Sequence, residues 1–344
     1  MNDVADFDVA IIGAGPSGSV SAALLHQQGF RVCVIERTHF PRFVIGESLL
    51  PYSMDILEEA DLVRVVQAQQ GFQYKNGAAF TWGERYTWFD FTDKFSKGPG
   101  TTFQVQRAVF DKILIDEVER RGVTVRYGQN VTGYEEVEGA SGEHLARLRI
   151  EAPEGAYTLQ ARFVLDASGY GRVLPRLLGL ERPSVLSPRK AIFTHIDDRI
   201  VGDDFDRNKI LISTHPAERG VWSWLIPFGN GRSSIGFIGE PEWINQRAAG
   251  LKAADEGALN EALLRGVVAE IPRLSRILRN AVWENGVPFS SISNYSANVT
   301  TLVGRNFALL GNAAEFLDPV FSSGVTVALQ SARLASRVLG RQLR

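Results

Sequence analysis

From Asp8 the chain reads DVAIIGAGPSGSVSAALLHQQGFRVCVIER. An apolar run ends at Gly13, apolar positions recur at helical spacing from about Ser17 to Gln28, and a second apolar run ends at Glu36. That pattern predicts a strand, a tight turn, a helix and a strand, which together make one βαβ unit. The chain does not then repeat the unit. A helical pattern returns near Ser53 to Gln69, KNGAAFTWGERYTWFDF alternates as strands do, and an amphipathic helix is predicted from about Arg107 to Arg121. GVTVRYG, HLARLRIEA and YTLQARFVLDASG read as strands, with a hairpin around Pro153 to Gly155, and the block from Lys190 to Phe237 is mostly strand-like. Two helices are expected near Leu251 to Arg265 and Val267 to Leu278, followed at the end by a strand, a loop and a long closing helix. The fold class is α/β: a Rossmann-type domain interleaved with a mostly β domain on the substrate side.

Composition narrows the function classes. The 344 residues are 44% hydrophobic and 22% charged, as in an ordinary folded protein with a large core. A net charge of -2 supplies no basic face for a phosphate backbone, so no nucleic-acid partner is expected. No apolar run reaches the roughly 20 residues of a membrane span, and the N-terminal apolar run follows acidic residues, unlike a signal peptide. A cytoplasmic location is the expectation. Cys33 is the only cysteine, which excludes a disulfide framework, and the five histidines never fall at ligand spacing, so no metal is predicted.

The turn after the first strand holds Gly13, Gly15 and Gly18 in the order G-x-G-x-x-G. In this context the first glycine permits the turn, the second lets backbone approach a pyrophosphate, and the third lets helix and strand pack. Ser17 lies in the helix's first turn, whose N–H groups face the phosphates. Glu36, about 20 residues on, would accept a ribose hydroxyl, which suits FAD or NAD better than NADP, and Arg37 adjoins it. DASG at Asp166 to Gly169 and GNAAEFLDP at Gly311 to Pro319 imply one cofactor site assembled from separated segments.

With VQRAVFDKIL around Arg107, these segments span nearly the whole chain and resemble the FAD-dependent aromatic hydroxylases and, within that group, the flavin-dependent halogenases. The sharper features are PRFVIGESLLP (Pro41 to Pro51), the W-x-W-x-I-P pattern of Trp222, Trp224, Ile226 and Pro227, Lys75 in FQYKNGAAFTW, and DPVFSSGV. The resemblance implies FAD contacts from Ser48, Arg107, Asp166, Gly311, Asn312 and Asp318, besides those of the first turn. It implies a halide, chloride or bromide, on the backbone amides of Ser323 and Gly324. Lys75 would be the catalytic residue that holds the oxidised halogen, and the tryptophans would wall the substrate from the flavin. The implied partners are a separate flavin reductase and a small aromatic substrate, free or on an acyl or peptidyl carrier protein. Interleaving gives five segments: 1–75, 105–189 and 291–344 on the FAD side, and 76–104 and 190–290 on the substrate side.

Three departures bear on this reading. Phe321 stands where tryptophan halogenases carry glutamate, which turns the expectation from free tryptophan to an electron-rich phenol or pyrrole. Asn312 replaces the aspartate usual in such flavoproteins, and the chain stops at Arg344, where most of the family continue with a helical cover. The alternatives are an FAD monooxygenase or dehydrogenase reduced directly by NAD(P)H, and a non-catalytic accessory flavoprotein. Glu47 is expected to cap the following helix, with an acid-base role as the alternative.

Overall fold

The computed structural model describes residues 5–140, 142–202, 205–293, 295–316 and 319–344. Two seven-stranded sheets organise it.

The first sheet forms around the βαβ unit. Phe7–Ile12 lies parallel between Val32–Glu36 and the second half of Gly155–Asp166, with Ile12 level with Ile35 and Asp166. Thr124–Tyr127 extends the sheet beyond Val32–Glu36, and Phe307–Leu309 pairs parallel with the end of Gly155–Asp166. The first half of that long strand folds back antiparallel on His144–Ala152, which pairs with Asn130–Glu138. The helices Pro16–Gln27, Arg107–Arg120 and Ser323–Gln342 share one apolar core over this sheet, including Leu25, Phe110, Leu114 and Leu329. The parallel strands end together, so the turns after Ile12, Glu36, Asp166 and Leu309 meet at one edge, where open α/β sheets bind nucleotides.

The second sheet runs Ser290–Ser293, Lys190–Asp197, Arg232–Gly239, Trp222–Pro227, Lys209–Thr214, Gly77–Trp82 and Arg85–Asp90, and is antiparallel except where Lys209–Thr214 meets Gly77–Trp82. Its central strands are buried on both faces, whereas the edge strand Arg85–Asp90 is exposed. One face packs Leu211, Leu225, Ile235 and Phe237 under the helices Pro241–Ala248, Glu256–Glu270 and Pro272–Ile277. The other packs Phe193, Ile212, Trp224 and Ile226 against Phe316 and Tyr170, which come from the first sheet's loops. A two-stranded ribbon, Gln73–Lys75 with Thr102–Gln104, sits between the sheets and ends at Lys75.

Three helix boundaries differ from expectation. The pattern over Ser53 to Gln69 is two helices, Tyr52–Glu59 and Val63–Gln67, broken where Asp61 takes φ 56°, a conformation that Asp tolerates better than most residues. A helix also forms at Pro241–Ala248, where proline opens the first turn. Glu256–Glu270 runs through Gly266, its start fixed by the Asp255 side chain accepting from Ala258 N at 2.8 Å, and the break falls at Pro272.

Candidate functional site

At the nucleotide end the glycines differ in what they do. A Cβ on Gly13 would come within 2.7 Å of Ala167 O, and one on Gly18 within 2.0 Å of Gly13 O, so those two are required by the protein's own packing. Gly15 is different. A Cβ there would meet nothing nearer than an Arg42 guanidinium nitrogen at 3.5 Å, so its bareness leaves room for a ligand. Gly15 N-caps Pro16–Gln27 with no side-chain acceptor, and Ser17 is buried in the first turn. Uncapped amides beside a cleared glycine fit a dinucleotide's pyrophosphate.

Glu36 is more heavily engaged than its spacing suggested. One carboxylate oxygen accepts from Ala14 N at 2.9 Å, and the other from Thr38 N at 3.0 Å and Thr38 Oγ1 at 2.7 Å. A cavity of about 100 Å³ lies beside it, lined by Glu36, the exposed Arg37, Thr38, Gln129 and Ser168. The Asp166 carboxylate lies wholly inside, accepting from Ser168 N at 2.9 Å and Leu174 N at 2.7 Å, and burial pushes its pKa up. It braces the DASG turn. Arg107 binds Asp111 through two nitrogens at 2.7 and 3.0 Å and donates to Ile45 O at 3.0 Å. Burial opposes the guanidinium's charge, and the Asp111 carboxylate more than offsets it.

Gly311 and Asn312 form one short turn at the end of Phe307–Leu309. Gly311 takes φ 51°, a Cβ there would strike Ala328 at 2.7 Å, and its amide donates to Ser331 Oγ at 3.0 Å. Asn312 hydrogen-bonds the Tyr170 phenol, whose pKa burial raises to about 12. Asp318 lies outside the described residues. Ser323 opens the 20-residue closing helix behind Ser322, which takes φ 57° and gives no side-chain cap, and a Cβ on Gly324 would meet the Phe316 ring at 3.5 Å. The helix therefore begins with uncapped amides, which suit a bound anion.

On the substrate side, Trp222, Trp224 and Ile226 alternate toward the same face of the second sheet. The two indoles are 6.2 Å apart, Trp224 Nε1 donates to Ser234 Oγ at 3.1 Å, and Phe193 lies 6.3 Å from Trp224. Pro227 pairs with Ser233 on one side, and on the other the pairing with Lys209–Thr214 stops at Leu225, short of the proline that has no N–H to continue it. The indole wall shares its core with Phe316, in the segment that leads to the closing helix.

Lys75 is 1% exposed. Its ammonium donates to Ser48 Oγ at 2.6 Å and Leu49 O at 2.8 Å, and the Phe91 ring lies 5.1 Å away. Among the described residues no carboxylate pairs with it, and burial lowers its pKa to about 7. The Ser48 side chain, expected to touch FAD, holds Lys75.

The neighbouring Glu47 corrects another expectation. It does not cap a helix: Pro51 occupies that position, and the Glu47 carboxylate meets His195 Nε2 at 2.7 Å, with both side chains buried. The imidazole packs between Phe43 at 5.0 Å and Phe228 at 5.1 Å. This pair was missed, although each member is the one ionisable residue in its apolar run, FVIGESLL and AIFTHI. One run of three residues therefore joins the parts. A Cβ on Gly46 would meet Arg107 at 3.1 Å and Val325 of the closing helix at 3.9 Å, Glu47 holds His195, and Ser48 holds Lys75.

The family model described as an FAD binding domain matches residues 6–344. The 1H-pyrrole-2-carbonyl-[peptidyl-carrier protein] chlorinase of Pseudomonas fluorescens is 29% identical over 96% of this chain and 75% of its own length. Among solved structures, a flavoprotein/dehydrogenase from Cytophaga hutchinsonii superposes with a TM-score of 0.87 at 40% identity, covering 98% of this chain and 78% of that one. The myxobacterial chondrochloren halogenase CndH superposes with a TM-score of 0.81 at 31% identity, covering 98% and 75%. The chain spans 60 to 75% of the length of the first curated relatives it resembles. No helix among the described residues is long and apolar enough to cross a membrane.

Proposed function

The chain belongs to the FAD-binding domain family and, within it, to the flavin-dependent halogenases, and from that premise we propose that it halogenates an electron-rich aromatic ring of the phenol or pyrrole type. FAD is its cofactor; when reduced, and with dioxygen, it supplies the two-electron oxidation of chloride or bromide. A separate flavin reductase would provide the reduced form. The observation that carries the reading is Lys75: a buried amine held by neutral oxygens alone, one of them Ser48 Oγ of the run that lies beside the closing helix.

The uncapped amides at Ser323 and Gly324 would hold the halide by hydrogen bonds and helix dipole. The Trp222 and Trp224 wall would keep the arene from the flavin while a small hypohalous acid passes. Near pH 7 the Lys75 amine is divided between its charged and neutral forms. The neutral amine can take halogen from hypohalous acid and release water; the ring then takes the halogen, loses a proton and restores the amine. The charged form can instead orient hypohalous acid by donation. Phe321 offers no carboxylate to assist, which supports a ring that is reactive by itself. Likeness to a chlorinase named for a pyrrole on a carrier protein supports a carrier-borne substrate.

The test is bromination of phenol and of a pyrrolyl thioester by the FAD-loaded protein with reduced flavin, oxygen and bromide, read by product isotope pattern. Wild type is expected to give monobrominated product, and Lys75→Ala none, with FAD content unchanged. Brominated product from Lys75→Ala would remove the lysine from the reaction. A second reading, a flavoprotein dehydrogenase, is supported by the 40% identity to a structure described in those words. It predicts NAD(P)H oxidation without reductase or halide, an outcome that would overturn the first.

A further inference from the structure

A sheet edge leaves one side of its last strand without backbone partners, and proteins blunt such edges with short strands, bulges or charge. In the first sheet, the outer strand Thr124–Tyr127 is short, and Asn130–Glu138 carries a register shift between Val131 and Gly133 and the charges of Glu135, Glu136 and Glu138. At one end of the second sheet, Ser290–Ser293 is short and largely serine. Arg85–Asp90, at its other end, is different. It pairs regularly with Gly77–Trp82 along its whole length and contains neither proline nor lysine. Its middle residues, Tyr86, Thr87, Trp88 and Phe89, are uncharged, β-prone and exposed, Trp88 by 57%. We infer that this edge docks on the same edge of a second copy of the chain, joining the two second sheets across a two-fold axis. The inference stands apart from the halogenation reading.

The backbone is set out for such a pairing. Phe91 N donates to Asn76 O at 2.6 Å, and bonding alternates along an antiparallel ladder. Phe89 and Thr87 therefore turn their backbone groups toward Gly77–Trp82, while Tyr86 and Trp88 turn theirs to the open side. Among the described residues no strand pairs with that side. A two-fold axis brings together residues on the same face of the sheet, so Trp88 opposite the partner's Trp88 lets the outward groups exchange both N–H···O bonds.

Charge selects this register and a second copy as the occupant. The strand is basic at its start and acidic at its end, and a two-fold lays one end against the other. With Trp88 on the axis, Tyr86 faces the partner's Asp90. The Arg273 guanidinium lies 4.0 Å from the centre of the Tyr86 ring, so a cation of each copy meets a carboxylate of the other. A slip that puts Thr87 on the axis would instead set Asp90 toward the partner's Glu84, a like-charge pair. Lys209, whose ammonium lies 5.2 Å from the Trp88 ring, is already matched by Asp206 at 2.8 Å and adds no uncompensated charge near the axis.

The experiment is sedimentation equilibrium of the FAD-bound protein, with disulfide trapping as a second measurement. Wild type is expected to be a dimer with a micromolar dissociation constant. Trp88→Lys, which sets like charges together on the axis, is expected to raise that constant by about 100-fold or more, and Arg273→Glu by about tenfold. Trp88→Cys is expected to form an intermolecular disulfide on mild oxidation, because residues facing each other in a bonded pair lie about 5.5 Å apart, within a disulfide's reach. The native Cys33 is buried and gives no background. Thr87→Cys, off the axis, is expected to run as a monomer on a non-reducing gel. A wild type that stays monomeric at the highest concentration measured, or a dimer that Trp88→Lys leaves unchanged, would overturn the interface. Cross-linking of Thr87→Cys in place of Trp88→Cys would overturn the register. If Trp88→Lys does not fold, Trp88→Cys decides: a cross-linked dimer supports the pairing, and an oxidised sample that remains monomeric overturns it.

Discussion

The two ends of the molecule treat buried charge in opposite ways. At the nucleotide end Glu36, Asp166 and Arg107 are matched by backbone amides or by a carboxylate, so each charge fixes a turn. At the substrate end Lys75 is as deeply buried and has only a hydroxyl and a carbonyl. Charges of the first kind hold the fold together, whereas an unmatched buried amine opposes folding and is retained for what it does.

Removing the cost should expose it. Lys75 has a folded pKa of about 7, below its unfolded value near 10.4. Between those two values the unfolded chain binds more protons, so this group makes stability rise with pH; below pH 7 both states are protonated and the full cost persists. Lys75→Met, similar in shape and uncharged, is expected to raise stability at pH 6 by up to about 4 kcal/mol, less the cost of leaving Ser48 and Leu49 without a donor. The advantage should shrink as the pH rises from 7 toward 10. Chemical denaturation of both proteins across that range checks the sign, and a constant difference would mean that the buried amine is not what opposes folding.

The opposite result is expected at the nucleotide end. Glu36→Ala leaves the amides of Ala14 and Thr38 without their acceptor and should cost about 2–3 kcal/mol of stability. FAD affinity, followed by flavin fluorescence, should fall by about 10- to 100-fold as the turn loosens. An FAD affinity that survives the substitution would show that the turn holds its shape without Glu36.

The same contrast explains what could be read before folding. The glycine turn and Glu36 lie within about 30 consecutive residues at fixed spacing, so Gly13, Gly15, Gly18 and Glu36 were legible together, and strict alternation made the common face of Trp222, Trp224 and Ile226 legible too. The setting of Lys75 was not, because Ser48 and Leu49 are 27 and 26 positions away and come from an irregular segment. Glu47 and His195 are 148 positions apart, and a loop docking onto another sheet leaves no periodic signal. Helix limits failed for local reasons: Asp61 adopts a left-handed turn inside a helical pattern, and Gly266 is carried by packing through a helix that it would weaken in isolation.

The smallest expected effect lies where the two ends meet. Glu47→Gln keeps a side-chain oxygen near His195 Nε2 and should cost at most about 1 kcal/mol, whereas Glu47→Ala leaves a buried imidazole nitrogen without its partner and should cost about 1–3 kcal/mol. Glu47 precedes Ser48, so displacing it also disturbs the hydroxyl that holds Lys75. Glu47→Ala should therefore lower bromination per bound flavin, while FAD affinity, set by residues on the other sheet, changes little. If bromination per flavin is unchanged despite the lost stability, the run of Gly46, Glu47 and Ser48 is only a strut between sheets, and Lys75 keeps its place by the burial and carbonyl contact that remain.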